Sequence, residues 1–320
     1  MATSKKQYRL LTRSDFDGLV CAILLKEMGI LGDIKFVHPK DMQDGIIEVT
    51  DNDILTNLPY VKGCHLCFDH HASEATRNEE VGSEDYILVP HADSAARVVY
   101  DYYGGKQRFP EISDDMMLAV DKADSAKFDL EEVLNPSGWG LLSFLMDART
   151  GLGRFHDFRI SNYHLMMELI DCCKNYSIQQ ILALPDVQER VDIYRAHEKL
   201  AKDQIRRCST VYGNLIVLDL RDEETIYATN RFTIYSLFPQ CNISMHVLWG
   251  KLQQNTVFTI GKSIFDRSCS TDVGELCLKY NGGGHTAAGT CQVAHEDSAR
   301  VLDELIGQIN EDAGITTSVV

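Results

Sequence analysis

Short apolar runs alternate with amphipathic stretches through the first half of the chain. Residues 8–12 (YRLLT) read as a strand, and residues 18–31 carry helical periodicity that ends near Gly32. Residues 34–37, 46–50, 66–68 and 87–89 are further short strands, and residues 94–103 form a helix stopped by Gly104 and Gly105. Such alternation predicts an α/β domain over residues 1–185, a mostly parallel sheet flanked by helices. From residue 162 to 208 the pattern is helical, with a strong start at Pro185 and Asp186, and residues 186–212 are expected to be a helical connector. After Gly213 the texture changes. NLIVLDL, ISMHVLWG and NTVFTIGK read as strands, followed by helical segments near 271–280 and 298–309. These predict a smaller C-terminal α/β domain over residues 213–320.

Composition narrows the class. The 320 residues are 44% hydrophobic and 24% charged, as in a soluble globular chain long enough for about two domains. The net charge of -16 disfavours tracking of long duplex DNA, whose phosphates need many cations. No run of about 18 apolar residues predicts a membrane span. Ten cysteines with irregular spacing and no secretory signal predict a reduced, cytoplasmic protein. Cys64 and Cys67 have CxxC spacing but lack the second pair that a zinc ribbon requires, so they read as thiols beside a buried strand.

Aspartates change the picture further, because three apolar strands run into them. YRLLT leads into Arg13-Ser14-Asp15-Phe16-Asp17-Gly18, IIEVT into Asp51, and HLCF into Asp69-His70-His71. In a parallel sheet such ends share the edge at which open α/β sheets bind ligands. Each residue alone has a plainer reading: Asp17 before Gly18 suits a helix start, and Asp51-Asn52-Asp53 suits a turn. Together they pose an electrostatic problem. Two like charges about 4 Å apart cost roughly 4 kcal/mol at an effective dielectric of 20. Divalent cations solve it, and oxygen ligands mixed with imidazole suit Mn²⁺ best, with Mg²⁺ or Fe²⁺ open. Two ions about 3.5–4 Å apart could activate water and steady a leaving oxygen.

In this order the motifs resemble those of the DHH phosphoesterase superfamily, in the branch with a DHH-associated C-terminal domain that includes oligoribonucleases and exopolyphosphatase-related proteins. SDFDG resembles its first motif and implies Asp15 and Asp17 as ligands of different metals. VTDND resembles the second and implies Asp51 as a shared ligand. FDHH resembles the third and implies His70 as a ligand, with Asp69 and His71 close behind. ADSAKF resembles the fourth, a ligand aspartate, for which Asp124 is chosen and Asp121, one helical turn away, is the alternative. One departure stands out: Leu11 occupies the place where the family carries a histidine. Arg13, nearby, cannot ligate a metal but could contact a substrate phosphate. His38 is a candidate stand-in ligand, with an ordinary loop histidine as the equal alternative.

The last glycine run, YNGGGHTAAGT, resembles the family's GGGH motif and implies Gly282, Gly283, Gly284 and His285 as substrate contacts. Glycines let backbone N–H groups approach an anion. Lys262 and Ser263 correspond to the family's phosphate-binding Arg-Ser pair; GKS lacks the upstream glycines of a P-loop. His91, ahead of the helix at residue 94, could reach the metals or the attacking water. His71 is the expected proton donor or phosphate contact. The resemblance thus implies a divalent-metal hydrolase of short oligonucleotides, dinucleotides or nucleotide bisphosphates, with no membrane partner and a homodimer left open. The competing readings are an exopolyphosphatase-like hydrolase and a nucleotide-binding regulator with reduced catalysis.

Overall fold

The structure is a computed structural model that describes residues 6–71 and 83–315. It divides into two compact units: one of residues up to Phe128 with Pro136–Tyr194, the other of Asp129–Asn135 with the chain from Arg195 on. The boundary falls inside a single 24-residue helix, Pro185–Cys208, rather than at its start.

In the first unit, β1 (Tyr8–Arg13), β2 (Leu31–Val37), β3 (Asp53–Thr56), β4 (Leu66–Asp69) and β5 (Tyr86–Leu88) form a parallel sheet in the order β2-β1-β3-β4-β5. Between β1 and β2 runs α1 (Phe16–Glu27), in which every residue from Phe16 to Leu25 is buried. A helix apolar all round must be covered on all sides. The sheet lies on one side of it, and α3 (Ala95–Tyr102), α4 (Asp114–Asp124) and α7 (Asn162–Asn175) pack on the others. The short helix α2 is Pro39–Gln43, α5 is Leu130–Leu134 and α6 is Gly138–Met146. After α7 come α8 (Ile178–Leu182) and the long α9 (Pro185–Cys208). The opposite face of the sheet carries a smaller cluster of Leu11, Val37, Leu55, Cys64, Cys67 and Tyr86. Both thiols of the CxxC pair are therefore core residues, and all ten cysteines are free.

Two expectations change here. The helix expected to reach residue 31 ends at Glu27, because Gly29 takes a left-handed conformation (φ 66°) and turns the chain into β2. Residues 46–50 are not a strand. The Asp53 carboxylate accepts hydrogen bonds from Thr50 N and Oγ1 at 2.7 and 3.0 Å, which folds that segment into a turn ahead of β3.

The second unit has a six-stranded mixed sheet ordered β10-β11-β9-β8-β7-β6, in which only β7 and β8 run parallel. Its strands are β6 (Ser209–Tyr212), β7 (Leu215–Asp219), β8 (Ile243–Trp249), β9 (Thr256–Lys262), β10 (Gly283–His285) and β11 (Ala288–Val293). Its helices are α10 (Thr233–Leu237), α11 (Val273–Leu278) and α12 (Ser298–Asp312). Along β7 the side chains alternate as a buried strand requires: Leu215 and Val217 join a core with α11 and α12, Ile216 and Leu218 one with Ile205 and Tyr235. The helix α5 belongs to this unit, where Asn230 Nδ2 donates to the Val133 carbonyl at 2.9 Å. Among the described residues no helix is long and apolar enough to cross a membrane.

Arg9 fixes the start of β3 to β1, its Nε and Nη2 donating to Asp53 at 2.6 and 2.9 Å. Burial raises the Asp53 pKa, but the bonds from Arg9 and Thr50 outweigh it and hold the carboxyl below its usual range. A lowered carboxylate pKa stabilises above the unfolded value and is lost as pH falls through the folded one. Asp53→Asn is therefore expected to cost about 1–2 kcal/mol at pH 7 and progressively less as the pH falls below the ordinary carboxylate range, read from denaturant unfolding across that range.

Candidate active site

The strand order reverses between β1 and β3, and open α/β sheets bind ligands outside the C-terminal strand ends at such a reversal. Asp15, just past β1, is the N-cap of α1 and accepts from Gly18 N at 3.0 Å. Its carboxylate also accepts from Asn57 Nδ2 at 3.2 Å and pairs with Arg13 Nε at 3.0 Å. Asp17, in the first turn of α1, is 2% exposed. It accepts from the N–H groups of Ala95 and Ala96, at 2.9 and 2.7 Å, so it caps the N-terminus of α3. Asp124 closes α4 and its Oδ2 lies 2.8 Å from His70 Nε2, past the end of β4.

Asp17, His70 and Asp124 thus place three ligand atoms within 4.8 Å of one another. Burial pushes the Asp17 pKa up to about 7, and the neighbouring Asp124 charge adds to it. Asp15 is also raised, by burial first, with Asp124 adding and Arg13 opposing. For Asp124 burial is outweighed by His70, and its carboxyl sits low. Burial would lower His70, yet its contact with Asp124 and the Asp124 and Asp17 charges raise it.

These donors fit a divalent ion. His70 Nδ1 faces the Ala92 carbonyl at 3.1 Å, and as a donor there it fixes the tautomer that leaves Nε2 a free lone pair. That Nε2 is buried and, despite its closeness to Asp124, makes no well-directed hydrogen bond. A buried imidazole nitrogen without a proper partner, between two carboxylates, has the chemistry of a metal ligand.

The neighbouring Asp69 is fully buried and committed elsewhere. Its Oδ1 accepts from His71 Nδ1 at 2.6 Å and from the His70 and His71 N–H groups, and its Oδ2 from Tyr86 Oη at 3.3 Å. Asp69 orients His71 instead of joining the three-donor cluster. Burial opposes the charged form of His71, but the bond and charge of Asp69 prevail and raise its pKa.

Asp51 does not join the cluster. It is exposed ahead of β3, at the N-terminal edge of the sheet, because Arg9 pairs with Asp53 in the parallel register and Thr12 with Thr56. Four strand residues, about 13 Å, separate that edge from the site. The position that arrives at the site is Asn57: buried, left-handed at φ 54°, and donating to Asp15. Leu11 is packed in the apolar cluster, so β1 sends no imidazole to the site. His38 is exposed after β2, and His91 is exposed on the turn after β5, outside the cluster. Asp121, the alternative to Asp124, is bound by Arg97 and by Ser94 Oγ at 2.6 and 2.8 Å.

In the second unit Lys262 Nζ donates to the Cys269 carbonyl at 3.1 Å, while Ser263 Oγ accepts from the N–H groups of Phe265 and Asp266 as a turn residue. Of the glycine run, Gly283 and Gly284 lie in the edge strand β10, and Gly282 directly precedes it. A Cβ on Gly282 would stand 2.2 Å from the Thr290 carbonyl oxygen, and one on Gly284 2.3 Å from that of Ala288. Both are glycine because β11 is so near, whereas Gly283 faces open space, and His285 is exposed. Sequence reasoning missed Asn57, since VTDND offered an aspartate a few residues earlier. It also missed Arg149, which no motif flags and whose charge acts on Asp15 and Asp124.

No family model and no curated protein matches the chain. Solved structures do. The pGpG-specific phosphodiesterase PggH from Vibrio cholerae is 61% identical, covers 96% of this chain and 100% of its own, and superposes with a TM-score of 0.80. An exopolyphosphatase-related protein from Bacteroides fragilis is 12% identical over 96% of this chain and 93% of its own, TM-score 0.54. RecJ from Thermus thermophilus, in complex with Mn²⁺, is 11% identical over 96% of this chain and 52% of its own, TM-score 0.51. The last two show a shared fold.

If the three-donor cluster is the metal site, Asp124→Ala should weaken Mn²⁺ binding at least about tenfold by isothermal titration, because one of three ligands is gone. Asp51→Asn should leave it unchanged; an equal loss in both would return Asp51 to the site.

Proposed function

The chain belongs to the DHH phosphoesterase superfamily and is a hydrolase, and on that premise we propose that it cleaves the internucleotide phosphodiester of a short linear dinucleotide of the pGpG kind. The cluster of Asp17, His70 and Asp124, whose imidazole Nε2 is buried between the two carboxylates, carries the chemistry. The 61% identity to a pGpG-specific phosphodiesterase over the whole chain supports the substrate class.

Members of this superfamily are metal-dependent. A divalent ion held by Asp17, His70 and Asp124 would supply the positive charge that polarises a phosphoryl oxygen and makes water acidic. Mn²⁺ suits this mixed set of carboxylates and imidazole. Asp15 is already engaged by Arg13 and Asn57, and Asp69 by His71 and Tyr86. This favours one tightly held ion and a weaker second, in place of two equivalent ones. Asp17 keeps its orientation through the α3 N–H groups, and His70 through Ala92. His71, whose protonated form Asp69 favours, is proposed to give a proton to the leaving oxygen. Lys262 and His285 are proposed substrate contacts from the second unit. Ten free cysteines and a nucleotide substrate suit the cytoplasm.

A panel of pGpG, other short dinucleotides and inorganic polyphosphate, assayed with Mn²⁺, tests the reading: pGpG should be cleaved with the highest kcat/KM, and preferred cleavage of polyphosphate would overturn it. His71→Asn should lower kcat about 100- to 10,000-fold while Mn²⁺ binding stays within about twofold. Because His70 and Asp17 hold protons in the metal-free site, Mn²⁺ binding should release protons and tighten from about pH 6 to pH 8. Titration in buffers of different ionisation enthalpy checks this.

A further inference from the structure

The chain after α6 makes two consecutive single turns, Ala148–Thr150 and Leu152–Arg154, joined at Gly151. Thr150 Oγ1, buried, donates to the Phe144 carbonyl at 2.6 Å and ties the first turn to the end of α6. α6 itself packs on α4, the helix that ends in Asp124, and its Trp139 stacks on Phe16, between Asp15 and Asp17. The turns are thus anchored to the elements that carry the carboxylates.

Each turn carries an arginine that the fold leaves incompletely used. Arg149 is clamped on one edge only: Asp147 accepts from its Nε at 2.7 Å and from its backbone N at 2.9 Å. Among the described residues neither Nη has a protein partner, and 43% of the side chain is open to solvent. Arg149 is nevertheless surrounded deeply enough that burial is the largest influence on its pKa. The charges of Asp147, Asp15 and Asp124 more than offset that influence. Arg154 has no acid partner among the described residues, and burial alone lowers its pKa. Its guanidinium folds back over Gly151, whose φ is 88°. A Cβ there would come 1.8 Å from Arg154 Nη1. Arg149 thus faces the acidic cluster with one direct carboxylate partner, and Arg154 has none among the described residues, which makes the double turn locally cationic in a chain of net charge -16.

We propose that this double turn is a phosphate-binding element, in which Arg149 contacts the phosphate undergoing cleavage beside the Asp17–His70–Asp124 cluster and Arg154 adds the second positive charge. The inference rests on the phosphodiesterase reading for its substrate, but not for its anion. The free Nη pair of Arg149 offers the two parallel N–H donors that match a phosphoryl group, and the Asp147 clamp fixes their plane in advance. Charge fixed where negative charge develops lowers the barrier more than it strengthens ground-state binding. Arg149 should therefore act mainly on kcat and Arg154 mainly on KM.

Arg149→Ala is expected to reduce kcat for pGpG about 100-fold, with partial recovery in Arg149→Lys, and Arg154→Ala to raise KM several-fold. Gly151→Ala should resemble Arg154→Ala. In parallel, inorganic phosphate binding to the Mn²⁺-loaded protein is measured by isothermal titration. The double variant Arg149→Ala/Arg154→Ala should lose it at least about tenfold, with Mn²⁺ affinity not weakened and Tm unchanged. Unaltered phosphate affinity in the double variant overturns the proposal, as does a loss of activity that follows a loss of Tm or of Mn²⁺ in both Ala and Lys variants. A wild-type protein inert toward pGpG whose phosphate binding still depends on both arginines would refute the substrate and leave the anion site standing.

Discussion

Confinement of negative charge at one rim of the parallel sheet governs this protein. Asp17 and Asp124 are brought together by the ends of two helices in the largest core, and neither could stay there ionised without a counterweight. The fold supplies several. The N-terminus of α3 directs two N–H groups at Asp17, His70 stands against Asp124, and Arg13 pairs with Asp15. What remains is a raised Asp17 carboxyl beside an imidazole nitrogen with no well-directed hydrogen bond, the chemistry in which a divalent cation would be favoured.

The two histidines of the same motif divide their work through their partners. His70 faces a backbone carbonyl with one nitrogen and offers the other to the cluster. His71 faces the buried Asp69 and is biased toward the protonated form. In the proposed mechanism these adjacent residues serve as ligand and proton carrier, because at the end of a strand successive side chains leave in different directions. Asp69, often the natural candidate for a ligand in such a motif, serves here as the residue that sets the orientation and charge of His71.

Asn57, directly after β3, stands at the site where the sequence reading expected the carboxylate of Asp51. Asn57 carries no charge and donates to Asp15, so it relieves repulsion that another aspartate would have increased. Together with Leu11 in the apolar layer, it makes the ligand set lopsided, rich around Asp17, His70 and Asp124 and poor around Asp15.

Much of this was legible in the sequence because it depends on local order: apolar runs of strand length, aspartates and histidines directly after them, and a glycine run next to a small-residue strand. Those features predict a parallel α/β unit and a smaller α/β unit after it, and the motif resemblance pointed to Asp17, His70 and Asp124, which the fold brings together. Register was not legible. VTDND and DILTN overlap, and only the pairing of Arg9 with Asp53 shows that the strand starts at Asp53, sending Asp51 to the wrong edge and Asn57 to the right one. The choice between Asp121 and Asp124 likewise needed the helix packing that gives Asp121 to Arg97. Arg149 and Arg154 carry no signature at all, since a side chain on an irregular turn is placed by long-range packing, and short-range pattern says nothing about which charges it will meet.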